Sequence, residues 1–385
     1  MGFVNWTTLL IMYTETNTST NYTTNCTYNV SYFLQYVGTF VVVCGLIGNF
    51  LSILVFSRKA LRTRSCSVYF LALSMSDVHV LIGYTIENLL YHGYGIQLLS
   101  NSFMCKSTIF LIYASTDISN YLLSLAAIDR CVLISNSPYH FRFCRQSTAK
   151  FLIGFVVILF SLINSHFLYG FRIDQTGSCL PSTNLYIAFY IHHYDSYIDI
   201  IKTVLIPFTI IFFCNTFIII KYTRQRNSFN MNSKNGLTRR KSRRRKEKDR
   251  QLTWFLLSTS ILFILLSLPS EINDFIRTRL SNTFQINYTC ELWALTTLLI
   301  LIQQTNHASH FYVYTLTGPI FRKEFQKLIC FWSESMQKKD SLQNSRRPSC
   351  INNFTQHYDI DDRRFSIAIP TKIGVNPRTS FKLDV

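Results

Sequence analysis

The chain has 385 residues, 48% of them hydrophobic, and a formal net charge of +18. That apolar fraction is ordinary for a soluble protein, so the average excludes little and the segregation excludes more. Charges are nearly missing from several stretches of about 20 residues and crowd between them, the pattern of a chain that crosses a bilayer repeatedly. Basic runs beside apolar spans are retention charges of the cytosolic side, which sets aside a nucleic-acid partner.

Residues 1–31 are rich in Asn and Thr and hold acceptor triplets at Asn5, Asn17, Asn21, Asn25 and Asn29. Five in so short a stretch predict a glycosylated extracellular end, with a sixth acceptor at Asn287. The opening lacks the basic start and apolar core of a cleavable signal peptide, so the first span is expected to act as its own insertion signal. That span, 32–56, is uncharged and contains Gly45-Leu46-Ile47-Gly48-Asn49; Arg58, Lys59, Arg62 and Arg64 follow and place the next loop in the cytosol. The second span, 67–91, carries Leu71-Ala72-Leu73-Ser74-Met75-Ser76-Asp77. Its Asp77 falls near mid-bilayer, where a carboxylate needs a polar cavity or a partner.

The third span, 105–134, opens on Cys105 and closes on Asp129-Arg130-Cys131. It is pinnable at one end and charged at the other. Spans over 151–170, 197–222 (with Pro207), 252–277 (with Pro269) and 292–316 follow. Between the fifth and sixth lies a strongly basic loop that includes Arg239-Arg240-Lys241 and Arg243-Arg244-Arg245-Lys246. The seventh span ends in His310-Phe311-Tyr312-Val313-Tyr314. After Thr317-Gly318-Pro319 a short amphipathic helix is expected over 319–332, with Phe321, Phe325, Leu328 and Ile329 on one face suited to the inner leaflet and its lipids. Residues 333–385 form a polar, basic tail predicted to be disordered. There are eleven cysteines; Cys26, Cys105, Cys179 and Cys290 share the outer side and allow three pairings.

These motifs, in this order along seven spans, resemble the rhodopsin-like (class A) G-protein-coupled receptors, and in detail divergent invertebrate neuropeptide receptors of the FMRFamide type. The resemblance covers about Tyr32 to Cys330 and implies an all-α seven-transmembrane helix bundle with an amphipathic eighth helix. It implies a plasma-membrane receptor with its N-terminus outside and its C-terminus in the cytosol, an extracellular ligand and a heterotrimeric G protein as partners. Four departures stand out. The fourth span has no tryptophan, Asn215 replaces a tyrosine, Leu266-Ser267-Leu268-Pro269 lacks the usual tryptophan, and His310-Phe311 replaces Asn-Pro.

Carried over residue by residue, the resemblance implies a disulfide between Cys105 and Cys179, leaving Cys26 and Cys290 for a second bridge. It implies a switch built on Asp129, Arg130, Asp249, Pro269 and Tyr314, with helix 6 swinging outward to admit the G protein. Asn49, Asp77, Ser119, Asn306 and His310 stand at the positions of a polar core with an allosteric sodium ion, although an imidazole is a poor ligand for a hard cation. Glu87, Asp199, Glu271 and Asp274 fall toward the outer half of the bundle and form an acidic funnel for a short basic peptide, with Lys202 available to neutralise Asp199 from within. Ile112 stands where amine receptors carry an acid.

Other readings stay open. His307 and His310 lie three apart, a metal-binding spacing, but no third ligand is evident, which favours packed or hydrogen-bonded rings. Cys330 is either palmitoylated or a plain membrane-facing thiol. Arg346-Arg347-Pro348-Ser349 and Arg363-Arg364-Phe365-Ser366 resemble kinase sites serving arrestin-type partners, and Leu383-Asp384-Val385 suits a PDZ domain. No metal cluster or nucleophile–base pair is legible, so no enzyme is expected. The alternative function is a small-solute transporter, against which the missing half-repeat argues.

Overall fold

The structure is a computed structural model that describes residues 20–135, 140–174, 179–229, 257–277 and 290–340. Asn5, Asn17, Asp249, Asn287 and the tail motifs lie outside the described residues, as do the side chains of Asn21, Asn25 and Cys26.

Eight long helical elements follow one another among the described residues. The first, α1, runs through Thr20–Phe33, a wider π turn at Leu34–Gly38, and Thr39–Phe56. Next come α2, Ser65–Tyr84 continuing as a π stretch over Thr85–Gly93, and α3, Ser102–Ser135. α4 is Gln146–Asn164. α5 begins at Asn184–Phe189, widens through π stretches at Tyr190–Ile198 and Ile200–Leu205, and runs on as Ile206–Phe229. α6 covers Leu257–Arg277, α7 Cys290–Thr317 and α8 Pro319–Asp340. The chain forms two compact units, Met1–Glu324 and Phe325–Val385, and the described part of the second is the remainder of α8.

Among the described residues, six helices (α1 to α6) are long and apolar enough to cross a membrane. α7 is also long, at 28 residues. Its average is lowered by Gln303, Gln304, Asn306, His307 and His310, all buried. A helix whose polar residues face inward can still present apolar side chains to lipid, and Leu295, Leu298 and Leu316 do so here. α4 shows the opposite balance. Phe151, Phe155, Ile158 and Leu162 recur at helical spacing and are all exposed, a lipid-facing stripe.

In space α1 lies against α2 and α7, while α3 touches α2, α4 and α5. Gly45 permits the close approach of α1. A Cβ there would lie 2.7 Å from both Ala308 Cβ and Leu81 Cδ1. The turn out of α7 uses a second glycine, Gly318, whose N–H donates to Tyr314 O at 3.0 Å. A Cβ at Gly318 would meet that same oxygen at 2.8 Å.

One end of the bundle carries the one described sheet, β1 (Phe171–Ile173) antiparallel to β2 (Cys179–Pro181). Cys179 is disulfide-bonded to Cys105 at the head of α3, with Cα atoms 5.6 Å apart, which fastens the hairpin over the bundle. Cys290 is also disulfide-bonded. Beneath the hairpin Tyr113, Phe167, Phe171, Tyr190 and Tyr194 form one aromatic cluster. In it the Tyr113 and Tyr190 hydroxyls are 2.7 Å apart.

Candidate functional site

Three polar assemblies are buried in the bundle at different depths. The first involves the four expected acids, and all of them are buried. Asp199 stands at the junction of the two π stretches of α5, three residues from Lys202 on the same helix. Lys202 Nζ donates to Asp199 Oδ1 at 2.6 Å and to Asp117 Oδ2 of α3 at 2.7 Å. Asn164 of α4 donates to Asp117 Oδ2 at 2.8 Å and accepts from the Tyr194 hydroxyl at 2.5 Å. The Thr203 hydroxyl donates to Asp117 Oδ1 at 2.6 Å. Lys202 also faces the rings of Tyr194 and Tyr113, at 5.3 and 5.8 Å from their centroids.

This network joins α3, α4 and α5 around one shared cation. Lys202 is expected from the sequence as a partner of Asp199, whereas Asp117 has no expected role; its signal is a carboxylate in the middle of an apolar span, which seldom goes without a partner. On α6, Arg277 Nη2 lies 3.2 Å from Asp274 Oδ1, a pair three residues apart. Glu271 accepts from Gln303 Nε2 at 2.8 Å. Glu87 Oε1, at the π stretch of α2, has no hydrogen-bond partner among the described residues. Thus Asp274 is paired with Arg277 and Asp199 shares Lys202 with Asp117, and Glu87 and Glu271 meet no cation among the described residues.

The second assembly is the polar core. Asp77 on α2 is fully buried, and each of its oxygens meets an imidazole of α7. His307 Nδ1 is 2.8 Å from Oδ1, and His310 Nδ1 is 2.7 Å from Oδ2. A carboxylate only accepts, so both rings carry their protons on Nδ1. The Ser119 hydroxyl of α3 donates to Oδ1 at 2.7 Å. Asn49 of α1 donates to the backbone oxygen of His307 at 2.9 Å and to Gly45 O at 3.0 Å. Asn306 is buried, but its Oδ1 makes no hydrogen bond among the described residues and it does not join Asp77. The two rings and Ser119 already occupy the carboxylate, and His307 takes the place foreseen for Asn306. Both histidines at the metal-binding spacing are spent on hydrogen bonds to Asp77. Among the described residues, no group of three or more His, Cys, Asp or Glu side chains converges as a metal-ligand set. Sodium requires oxygen ligands, whereas both faces of Asp77 present ring N–H groups. The residues present do not fit that ion.

The third assembly is at the end of α3 opposite the disulfide. Asp129 and Arg130 are buried, and Arg130 Nη2 lies 3.8 Å from Asp129 Oδ2, an ion contact too long for a hydrogen bond. Cys144, in the following loop, donates its thiol proton to the Asp129 backbone oxygen at 3.3 Å. Burial and the nearby Asp129 charge push the Cys144 thiol up to about 12. Tyr314 is fully buried, its ring centroid 5.2, 5.5 and 5.6 Å from those of Phe56, Phe70 and Phe321. Arg58 donates to Glu324 Oε2 at 2.9 Å and ties the loop between α1 and α2 to the first turns of α8. Arg322 Nη1 donates to Leu316 O at 2.8 Å, satisfying a carbonyl at the end of α7.

A helical bundle with a disulfide-fastened hairpin at one end, a buried polar core and an Asp-Arg pair at the other end of α3 fits a membrane receptor. The family profile described as 7 transmembrane receptor (rhodopsin family) matches residues 48–306, and the chain belongs to that family. It is similar to somatostatin receptor type 2 of Mus musculus, 25% identical over 327 residues covering 80% of each chain. It is likewise similar to a probable G-protein coupled receptor of Caenorhabditis elegans, 24% identical over 313 residues covering 77% of this chain and 69% of the other. The somatostatin receptor type 2 of Sus scrofa is 25% identical over 330 residues, 80% of this chain and 81% of its own. The chain is therefore a non-enzymatic, multi-pass signalling receptor of the plasma membrane, with an extracellular ligand and a G protein as its partners.

Proposed function

We propose that this receptor responds to a short basic peptide and passes the signal to a heterotrimeric G protein by outward movement of α6 about Pro269. The N-terminus lies outside and the C-terminus in the cytosol, in keeping with the basic loops after α1 and α5. The observation that carries the ligand reading is the state of the four outer acids. Asp274 is paired with Arg277 and Asp199 shares Lys202 with Asp117, while Glu87 and Glu271 are buried with no cation among the described residues. A carboxylate in that position calls for a positive partner, and a peptide arginine supplies one with bidentate geometry. An amidated Arg-Phe end is the form suggested by the resemblance to FMRFamide-type receptors. The matched somatostatin receptors agree with the general class without naming this ligand.

At the inner end, Arg130 is held beside Asp129 in the resting bundle, with Asp249, which precedes α6 in the sequence, as a further restraint. Release of these contacts opens a groove for the G protein. The tail then serves arrestin-type partners after phosphorylation at Ser349 and Ser366, and a PDZ partner at its end. The test is a library of amidated peptides applied to cells expressing the full chain, with guanine-nucleotide exchange on G protein as the readout. Activation by cationic peptides, lost on neutralising their arginine, is expected. Activation by acidic or neutral ligands alone would overturn the reading.

A further inference from the structure

The core around Asp77 is built of five groups on four helices. The carboxylate belongs to α2, the hydroxyl of Ser119 to α3, the rings of His307 and His310 to α7, and the amide of Asn49 to α1. All are at most 2% exposed. The carboxylate has two oxygens, and each receives a ring N–H within 2.8 Å, with Ser119 added on Oδ1. These are the hydrogen bonds of Asp77 among the described residues. A cation bound to Asp77 would have to approach the same oxygens and would meet N–H hydrogens aimed at it. The Ser119 hydroxyl is directed at Asp77, and the buried Oδ1 atoms of Asn49 and Asn306, which have no hydrogen-bond partner among the described residues, make no bond to it. Hard cations are held by oxygen ligands, and nitrogen serves them poorly.

From this geometry we infer that His307 and His310 stand in for the ion: they clamp α7 directly to α2 and make this receptor's core independent of sodium. The clamp is seated from both sides. Asn49 holds the His307 backbone oxygen from α1 at 2.9 Å. The Tyr314 ring stacks on His310 at 6.1 Å between centroids. Movement of α7 away from α2 then requires breaking two ring-to-carboxylate bonds, with no ion to bind or expel. The spacing of the two histidines makes this possible, because residues three apart on a helix lie on one face. The inference does not depend on the identity of the ligand.

The test uses the full-length receptor in detergent, without ligand, and reads its thermal midpoint as sodium chloride replaces choline chloride at constant ionic strength. The unsubstituted chain is expected to shift by less than about 1 °C, whereas a bound ion would raise the midpoint by about 2–4 °C or more. A His307→Ser, His310→Asn double variant replaces both rings with oxygen-bearing groups and is expected to gain a sodium-dependent rise. The single His310→Asn variant serves where the double variant does not fold, with a smaller rise expected. Sodium-23 line broadening on the same samples reports binding without reference to stability and should appear only in the variants. A sodium-specific rise in the unsubstituted chain overturns the inference. So does a folded variant as insensitive to sodium as the parent, because the rings would then not be what excludes the ion.

Discussion

Lys202 and Asp117 meet inside the bundle at 2.7 Å, a lysine of α5 against a carboxylate of the central helix α3. The same ammonium also holds Asp199 at 2.6 Å. One cation thus serves two buried carboxylates, with Thr203, Asn164 and Tyr194 completing the network. Such an assembly fixes how α5 sits on α3, because a buried carboxylate that loses its cation is left uncompensated.

Replacing Lys202 by Met should therefore be severe. It leaves two buried acids without their cation, and breaking a buried ion pair from one side costs about 3–5 kcal/mol. The thermal midpoint in detergent and the surface-expressed fraction should both fall. Asp117→Asn should cost less, because Lys202 keeps Asp199. Equal midpoints for Lys202→Met and the unsubstituted chain would show that the network contributes nothing to stability.

The outer acids should separate in their effect on ligand potency. A hydrogen bond to a charged group is worth about 1.5–3 kcal/mol, so Glu87→Gln should weaken a cationic peptide agonist roughly tenfold or more. Asp274, already paired with Arg277, should change potency by less than about threefold when replaced by Asn. Concentration–response curves at matched surface expression decide this. Unchanged potency in Glu87→Gln together with a large loss in Asp274→Asn would reverse the assignment.

Gly45→Ala tests the packing of α1. The added methyl would lie 2.7 Å from Ala308 Cβ and from Leu81 Cδ1, so a helix has to shift. Overpacking of this kind costs about 1–3 kcal/mol, read as a lowered thermal midpoint. Gly154 is the control, with nothing within 4 Å of its Cβ position; Gly154→Ala should leave the midpoint unchanged or slightly raised, as alanine favours helix.

Asp249→Asn should raise basal nucleotide exchange if the acid restrains Arg130. The Asp129 contact, at 3.8 Å, is too long for a hydrogen bond. Basal exchange equal to the parent at matched surface expression would mean that α6 is held by packing alone.

The helical bundle and the family were legible in the sequence because apolar runs and motif order are local signals, whereas the Cys105–Cys179 pairing came only with the family resemblance, the residues alone leaving three pairings open. Bilayer-crossing helices satisfy their own backbone groups and announce themselves by runs of apolar residues. The inner side of each loop is announced by its arginines and lysines. Even so, α7 shows the limit of that signal, since its inward glutamines and histidines lower its average without removing it from the bundle. Which polar residue meets which was decided elsewhere. Asp117 and Lys202 are 85 residues apart, and Asp77 and His307 are 230 apart. Their pairing depends on how each helix is rotated about its axis and on the π stretches of α5 that set the direction of Asp199 and Lys202. Hydropathy reports that a residue is polar, not the azimuth at which it faces its neighbours. The tertiary structure alone therefore set Glu87 apart from the described cations, gave Asp199 one, and turned a foreseen ion site into a carboxylate held by two imidazoles.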